Sequence, residues 1–307
     1  MSYGELRAGL RDVSFTTATP FGDEQEAVRH EALAENLRWL YEAGARTFIP
    51  CGNTGEYYAL SRRERKAVVG TTVDALPDDA TVVGGAGGSI PDAIDLLESY
   101  AEAGVDGAMI MHPGHAYVHE QGLIDYYRQL AAATDLGIVV YKRGSEVTES
   151  VLSALADVEN VVAVKYAAND VKTFARWTET VPDVLWLNGV AERYAPAYAI
   201  EGADGFTTGV GNFLPRPVLA LNSALEAGEW ERAKRIRDLL RPIEELREEA
   251  GGGDPFGSAK NVPVVKRGLD LRELNGGPVR RPLVDLADED VARLRDYLDA
   301  IDRAAFE

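Results

Sequence analysis

The chain has a single cysteine, Cys51, among 307 residues, which excludes an intrachain disulfide and any metal site built from several thiolates. It has four histidines, His30, His112, His115 and His119. Three of these crowd into eight residues around Pro113-Gly114, with no regular ligand spacing to carboxylates. We therefore expect a solvated or substrate-facing loop there and no metal site. No apolar run approaches the ~20 residues of a membrane span, so no transmembrane helix is expected. The opening Met-Ser-Tyr-Gly-Glu-Leu-Arg lacks the basic segment followed by an apolar one that a secretory signal needs, and a cytoplasmic location is the expectation. Neither a dinucleotide fingerprint nor a Walker motif is present, so no nucleotide cofactor is expected.

Positive charge is also scarce. Fifty acidic residues against 32 basic ones give a net charge of -18, and the acids are dispersed along the chain with clusters such as Asp285 to Asp296. Nucleic-acid binding is excluded on this balance. Concentrated salt would screen the self-repulsion of such a surface, so a halophilic source is expected; the plainer reading is an ordinary acidic protein from a GC-rich genome.

What is abundant is apolar sequence, 46% of residues, arranged as short β-branched runs alternating with longer amphipathic stretches. Eight runs read as strands: Val13 to Thr17, Thr47 to Pro50, Thr81 to Gly85, Gly107 to Met111, Gly137 to Tyr141, Val161 to Lys165, Val184 to Asn188 and Gly205 to Thr208. Helical patterns lie between them, and Pro217 to Ala227 follows the last. Eight such units predict an α/β fold, a (β/α)8 TIM barrel, over residues 1–228. Beyond it, Trp230 to Ala250, Ser258 to Leu274 and Ala287 to Ala304 read as a C-terminal three-helix appendix over 229–307. Breakers at Gly251 to Pro255 and Gly276 to Pro278 separate these helices. Each is too short and one-sided to stand as a domain, so the appendix should pack on the barrel.

In such barrels the reactive groups gather at the carboxyl ends of the strands. Lys165 ends the run Val161-Val162-Ala163-Val164, where burial would favour the neutral, nucleophilic amine that attacks a ketone. Tyr141 ends Gly137-Ile138-Val139-Val140 in the same way. From one strand end alone, Lys165 could equally pair with an acid on the rim and Tyr141 merely cap a core. After the second strand, Gly52-Asn53-Thr54-Gly55-Glu56 permits tight turns and exposes amides able to hold a carboxylate, or is an ordinary turn. After the third, Gly84-Gly85-Ala86-Gly87-Gly88 would leave room for a ligand, or is a plain loop. The eighth strand runs into Thr207-Thr208-Gly209-Val210-Gly211-Asn212, again small and hydroxylic.

Taken in order, Thr19-Pro20-Phe21, Gly52 to Glu56 with Leu60-Ser61 and Glu64, Tyr141, Lys165, Gly205 to Asn212 and Gly277-Pro278-Val279-Arg280-Arg281-Pro282-Leu283 resemble the dihydrodipicolinate synthase and N-acetylneuraminate lyase superfamily over nearly the whole chain. The resemblance implies a metal-independent class I lyase with no cofactor, whose Lys165 forms a Schiff base with the ketone of pyruvate or another 2-oxo acid. It further implies that Tyr141 relays protons, that Asn53 and Thr54 hold the 2-oxo acid carboxylate, and that Thr208, with Gly209 beside it, lines the floor. A homo-oligomer, tetramer or dimer, is expected, with Tyr117 and the His112 to His119 segment where a neighbour would approach.

Two departures bear on substrate. The synthases follow the strand-five tyrosine with Asn-x-Pro-x-Arg, whose arginine binds a second carboxylate; here the chain reads Tyr141-Lys142-Arg143-Gly144-Ser145-Glu146, with Glu146 at the arginine position. Their Pro-Tyr-Tyr segment is replaced by Pro113-Gly114-His115, leaving Tyr117 offset. The Tyr-x-Arg and the Gly-Pro-Val-Arg-x-Pro-Leu tail resemble instead the branch that dehydrates 2-oxo-3-deoxy sugar acids, such as 5-dehydro-4-deoxyglucarate dehydratase. The expected reaction is loss of the C4 hydroxyl from a Lys165 iminium. Tyr141 would shuttle protons, helped by His112, His115 or water. Arg143 and Lys142 either recognise distal groups of the substrate or are surface charges. The alternatives are a pyruvate-dependent aldolase using the same iminium, a synthase-like condensing enzyme, and a ligand-sensing protein on a retired barrel.

Overall fold

A computed structural model describes every residue except Met1, 24–26, His112, Ala116, Ser145, 251–256 and 305–307. The β-branched runs are strands, because a pleated surface buried on both faces suits branched side chains: β1 (Val13–Thr16), β2 (Thr47–Ile49), β3 (Thr81–Ala86), β4 (Gly107–Ile110), β5 (Gly137–Lys142), β6 (Val161–Tyr166), β7 (Leu185–Asn188) and β8 (Gly205–Thr208). All pair in parallel in chain order, and β8 closes on β1 through Val13↔Phe206 and Phe15↔Thr208. The expected eight-stranded barrel is the fold.

A helix that the hydrophobic pattern did not suggest, α1 (Tyr3–Leu10), precedes it, nucleated by a capping box between Ser2 and Glu5. Its Leu6 presses on the amino ends of two strands. A Cβ on Gly137 would lie 2.3 Å from Leu6, and one on Gly107 2.9 Å, so α1 seals the end opposite the strands' carboxyl termini. The ring outside is formed by α2 (His30–Glu42), α3 (Arg62–Ala75), α4 (Ile90–Ala103), α5 (Glu120–Ala132), α6 (Glu149–Leu155), α7 (Val171–Thr180), α8 (Ala195–Ile200) and α9 (Pro215–Glu226). Ser61 and Ser89 cap α3 and α4.

The glycines of β3 serve protein packing. A Cβ on Gly84 would sit 2.8 Å from the Tyr100 ring, and one on Gly85 2.0 Å from the Cys51 carbonyl oxygen. The room expected there for a ligand is filled by α4 and by the turn after β2.

Three further helices follow, α10 (Trp230–Glu248), α11 (Asn261–Leu271) and α12 (Asp288–Asp302); the breaker at Gly251 to Pro255 lies outside the described residues. α10 packs on α9 and on the 3₁₀ turn Glu192–Tyr194 after β7, which carries its last turns to the carboxyl end of the barrel. The Gly277 to Leu283 segment clamps the loop after β2. There Lys266 Nζ meets Glu56 at 2.6 Å and donates to the Pro278 carbonyl at 2.7 Å, and the Arg280 amide donates to Glu56 at 2.8 Å. No helix among the described residues is long and apolar enough to cross a membrane.

Candidate active site

Register places the two expected reactive groups side by side. Tyr141 on β5 is paired with Lys165 on β6, and the Lys165 Nζ lies 4.9 Å from the centre of the Tyr141 ring. Lys165 is only 5% exposed. Burial, with the positive charges of Arg143 and Arg247 added, pulls its amine from 10.5 down to about 7. A substantial fraction is therefore neutral at neutral pH, as a nucleophilic amine requires. Tyr141 is buried as well, which holds its phenol above the usual value although Arg143 and Asn53, both reaching its oxygen, act in the opposite sense. Asn53 Nδ2 donates to Tyr141 Oη at 2.8 Å.

These groups line a cavity of about 230 Å³ at the carboxyl end of the barrel. Thr16, Asn53 and Thr54 form one wall, Ala167, Asn169, Gly189 and Val190 another, Thr207 and Gly209 a third. Thr54 Oγ1 is 3.0 Å from Thr16 Oγ1, whose hydrogen goes to the Thr208 carbonyl at 2.6 Å. Asn53 Oδ1 is buried and has no hydrogen-bond partner among the described residues. Such an acceptor costs stability unless a ligand or water meets it. The loop that carries Asn53 and Thr54 turns through Cys51 and Glu56, both at φ 57°. The buried Glu56–Lys266 pair fixes that left-handed turn.

Beneath the cavity lies a carboxyl that sequence reasoning missed. Glu192 is fully buried, follows the strained Ala191 (φ 61°, ψ -153°), and accepts a hydrogen bond from Thr208 Oγ1. Its other oxygen has no partner among the described residues. Burial, reinforced by the nearby Glu244 charge, lifts its carboxyl to about 8, so it is largely protonated at neutral pH. Arg247 and Glu244, an ion pair on α10 with side chains 6% and 7% exposed, complete the cavity from outside the barrel.

The sequence profile of the dihydrodipicolinate synthetase family matches residues 10–301. The chain belongs to the dihydrodipicolinate synthetase family. It is 32% identical over 314 residues to the probable 5-dehydro-4-deoxyglucarate dehydratase of Streptomyces griseus, covering 98% of this chain and 95% of that one. It is 31% identical over 296 residues to the 4-hydroxy-tetrahydrodipicolinate synthase of Methanothrix thermoacetophila, covering 94% and 96%. The crystal structure of dihydrodipicolinate synthase from Oceanobacillus iheyensis superposes with a TM-score of 0.93 at 31% identity, covering 99% of this chain and 100% of that one. These relatives are lyases, and membership of the dihydrodipicolinate synthetase family makes this chain an enzyme of that kind.

Within this member of the family, Lys165, Tyr141, Asn53, Thr54, Arg143 and Gly209 all line the cavity. Thr208 does not. Its hydroxyl donates to Glu192 and accepts the Gly211 amide at 2.7 Å, so it is spent inside the wall, and Thr207 and Gly209 face the space instead. Lys142 is also off the site: its Nζ sits over the rings of Tyr166 and Trp177, 5.2 and 5.7 Å from their centres, and donates to the Gly144 carbonyl. Alternation along β5 puts it on the face opposite Tyr141. Glu146 is not among the lining residues. His115 and Tyr117 are exposed and bound to one another, the Tyr117 amide donating to His115 Nδ1 at 3.0 Å; neither lines the cavity of this chain. His112 lies outside the described residues. No cluster of three or more His, Cys, Asp or Glu among the described residues is placed to hold a metal ion.

Proposed function

We propose that this enzyme is a Schiff-base-forming dehydratase of a 2-oxo-3-deoxy sugar acid. The observation that carries the proposal is the buried Lys165 amine, brought to about 7 and set against Tyr141 in a polar cavity. The amine adds to the C2 ketone and water leaves, giving an iminium that acidifies the C3 protons. Tyr141 is the group within reach to carry a C3 proton away and to protonate the C4 hydroxyl as it departs. The electron pair freed at C3 forms the enamine and then expels that hydroxyl as water. Loss of the C5 proton and reprotonation along the chain turn C5 into a carbonyl. Hydrolysis of the iminium consumes one water, frees Lys165 and releases a 2,5-dioxo acid, so the balance is one water lost from the substrate. Asn53 and Thr54 are read as holding the C1 carboxylate, through the donors of the turn after β2 and the Thr54 hydroxyl.

Dehydration is favoured over condensation with a second carboxylated substrate because the position at which the synthases carry arginine is Glu146. The similarity to the Streptomyces griseus dehydratase supports the same choice. The exposed Tyr117, at 87%, is read as a contact in a homo-oligomer, which sedimentation of the intact protein would test.

The test of the activity is intact mass after incubation with borohydride and either pyruvate or a panel of 2-oxo-3-deoxy sugar acids in molar salt. The expected result is one reduced adduct per chain in the wild type and none in Lys165→Ala, with release of a 2,5-dioxo acid when the reductant is omitted. Release of pyruvate and an aldehyde would show an aldolase, and no adduct with any 2-oxo acid would reject the lyase mechanism.

A further inference from the structure

One wall of the cavity is not built by the barrel. Glu244, Arg247 and Glu248 reach it from α10, and Ser258 and Asn261 from the start of α11 and the turn before it. The Arg247 guanidinium is held on three sides. It is ion-paired with Glu244, donates from Nε to the Asn261 carbonyl at 3.3 Å, and donates from Nη2 to Asn261 Oδ1 at 3.0 Å. A guanidinium carries five N–H donors, so two are left to face the cavity. Glu244 likewise keeps acceptor capacity beyond its bond to Arg247. Gly209 supplies the floor beneath: a Cβ there would lie 2.4 Å from Arg247 Nη2, so the guanidinium lies flat on bare backbone and cannot shift toward the strand.

We propose that the Glu244–Arg247 pair, with Asn261, reads the distal hydroxyls of the substrate and thereby favours a 2-oxo-3-deoxyaldonate over the corresponding aldarate. This rests on the Schiff-base reading above. The reason is charge balance. The pair is neutral overall, and both side chains are more than nine-tenths buried. A hydroxyl can donate to Glu244 and accept from Arg247 at once. A second carboxylate would accept from Arg247 only by displacing or crowding Glu244, and would meet Glu248, itself ion-paired with Arg193. The other guanidinium of the cavity wall, Arg143, reaches the Tyr141 oxygen and also borders Ser258 and Asn261, so it is the competing reader of a distal group. The Glu244–Arg247 pair, neutral in sum and offering both donors and acceptors, suits a polyol tail, and a site built to bond hydroxyls discriminates strongly against a partner that leaves its groups unpaired.

The test compares wild type, Glu244→Met/Arg247→Met and Asn261→Ala at pH 9, above the value of about 7 to which burial brings the Lys165 amine in the wild type. The double substitution removes both charges together, so no unpaired ion is left buried. Should it fail to fold, Asn261→Ala carries the test alone. Three compounds are used: pyruvate, which has no distal portion, a 2-oxo-3-deoxyaldonate, and the aldarate of the same carbon skeleton. The wild type should turn over the aldonate with kcat/KM at least about tenfold above the aldarate. Both variants should lose kcat/KM for the aldonate mainly through KM, about 10- to 100-fold where the double substitution removes hydrogen bonds to charged partners and about tenfold where Asn261→Ala removes a neutral one. Borohydride trapping of pyruvate should fall at least about tenfold less than this. A wild type that prefers the aldarate, or variants that lose pyruvate trapping and aldonate turnover in equal measure, would overturn the assignment and point to Arg143 as the distal reader. A wild type trapped by none of the three would remove the Schiff-base reading, and this one with it.

Discussion

Replacing Lys165 with methionine should make the protein more stable, by an amount that depends on pH. In the unfolded chain the amine titrates near 10.5; in the fold, burial and two guanidiniums bring it to about 7. Below about 7 the folded state must hold an ammonium where water is excluded. From 10.5 down to about 7, at about 1.4 kcal/mol per pH unit, that costs the fold about 5 kcal/mol. Between about 7 and 10.5 the unfolded chain binds more protons than the folded one, so stability rises with pH, and by pH 9 the remaining cost is about 2 kcal/mol. Methionine is of similar length and does not titrate, so its packing contribution is the same at every pH. The gain of Lys165→Met over wild type should therefore be about 3 kcal/mol larger at pH 6 than at pH 9. Urea unfolding at both pH values and one fixed salt concentration reads this directly, because every other titrating group cancels between the two proteins. A gain that is flat between pH 6 and pH 9 would refute the claim that the fold depresses this amine. The variant should give no borohydride adduct at either pH, the usual exchange of activity for stability at a strained site.

Three other substitutions test the remaining parts of the site. Tyr141→Phe keeps the ring against Lys165 and removes the proton carrier, so pyruvate trapping should persist while kcat for dehydration falls about 10²- to 10⁴-fold; equal loss of both would mean that the phenol acts in forming the iminium. Glu192 titrates at about 8 in the fold against 4.5 unfolded, so its contribution is full below pH 4.5 and is lost as pH rises through about 8. Glu192→Gln should remove a decline in stability of several kcal/mol between pH 5 and pH 8, and parallel stability curves for the two proteins would contradict the burial argument. Gly85→Ala places a methyl 2.0 Å from the Cys51 carbonyl oxygen, where backbone would have to move. It should cost more than about 3 kcal/mol in thermal or urea unfolding, and a wild-type midpoint would show that the β2 turn is not fixed by β3.

The barrel was legible because its signal is local and repeated. Each strand is a short apolar run, most helices are amphipathic stretches, and eight repetitions leave little choice of architecture. Lys165 and Tyr141 were legible for a related reason: a titratable group closing an apolar run stands out against its neighbours, and parallel register in a closed barrel brings consecutive strand ends together. α1 was readable only from its Ser2–Glu5 capping box, since eight residues carry little periodicity.

What could not be read is which side chain of an alternating pair faces the cavity, and what arrives from elsewhere in the chain. Thr207 and Thr208 are chemically the same in sequence; the Glu192 carboxyl decides between them by occupying the Thr208 hydroxyl from a turn 16 residues away. Lys142 and Arg143 are adjacent cations, but the pleat sends one beneath Trp177 and leaves the other at the cavity. Arg247 sits in a helix whose sequence reads as an ordinary charged surface, and only the packing of α10 over the turn after β7 carries it above Gly209. The sequence by itself determined the barrel, the family and the two strand-end side chains that meet at the cavity, because local pattern and register suffice for these. The charge environment of Lys165, the protonated Glu192 and the far wall of the cavity were decided by tertiary structure alone, because desolvation and charge pairing depend on distances between residues that the chain separates widely and only folding brings together.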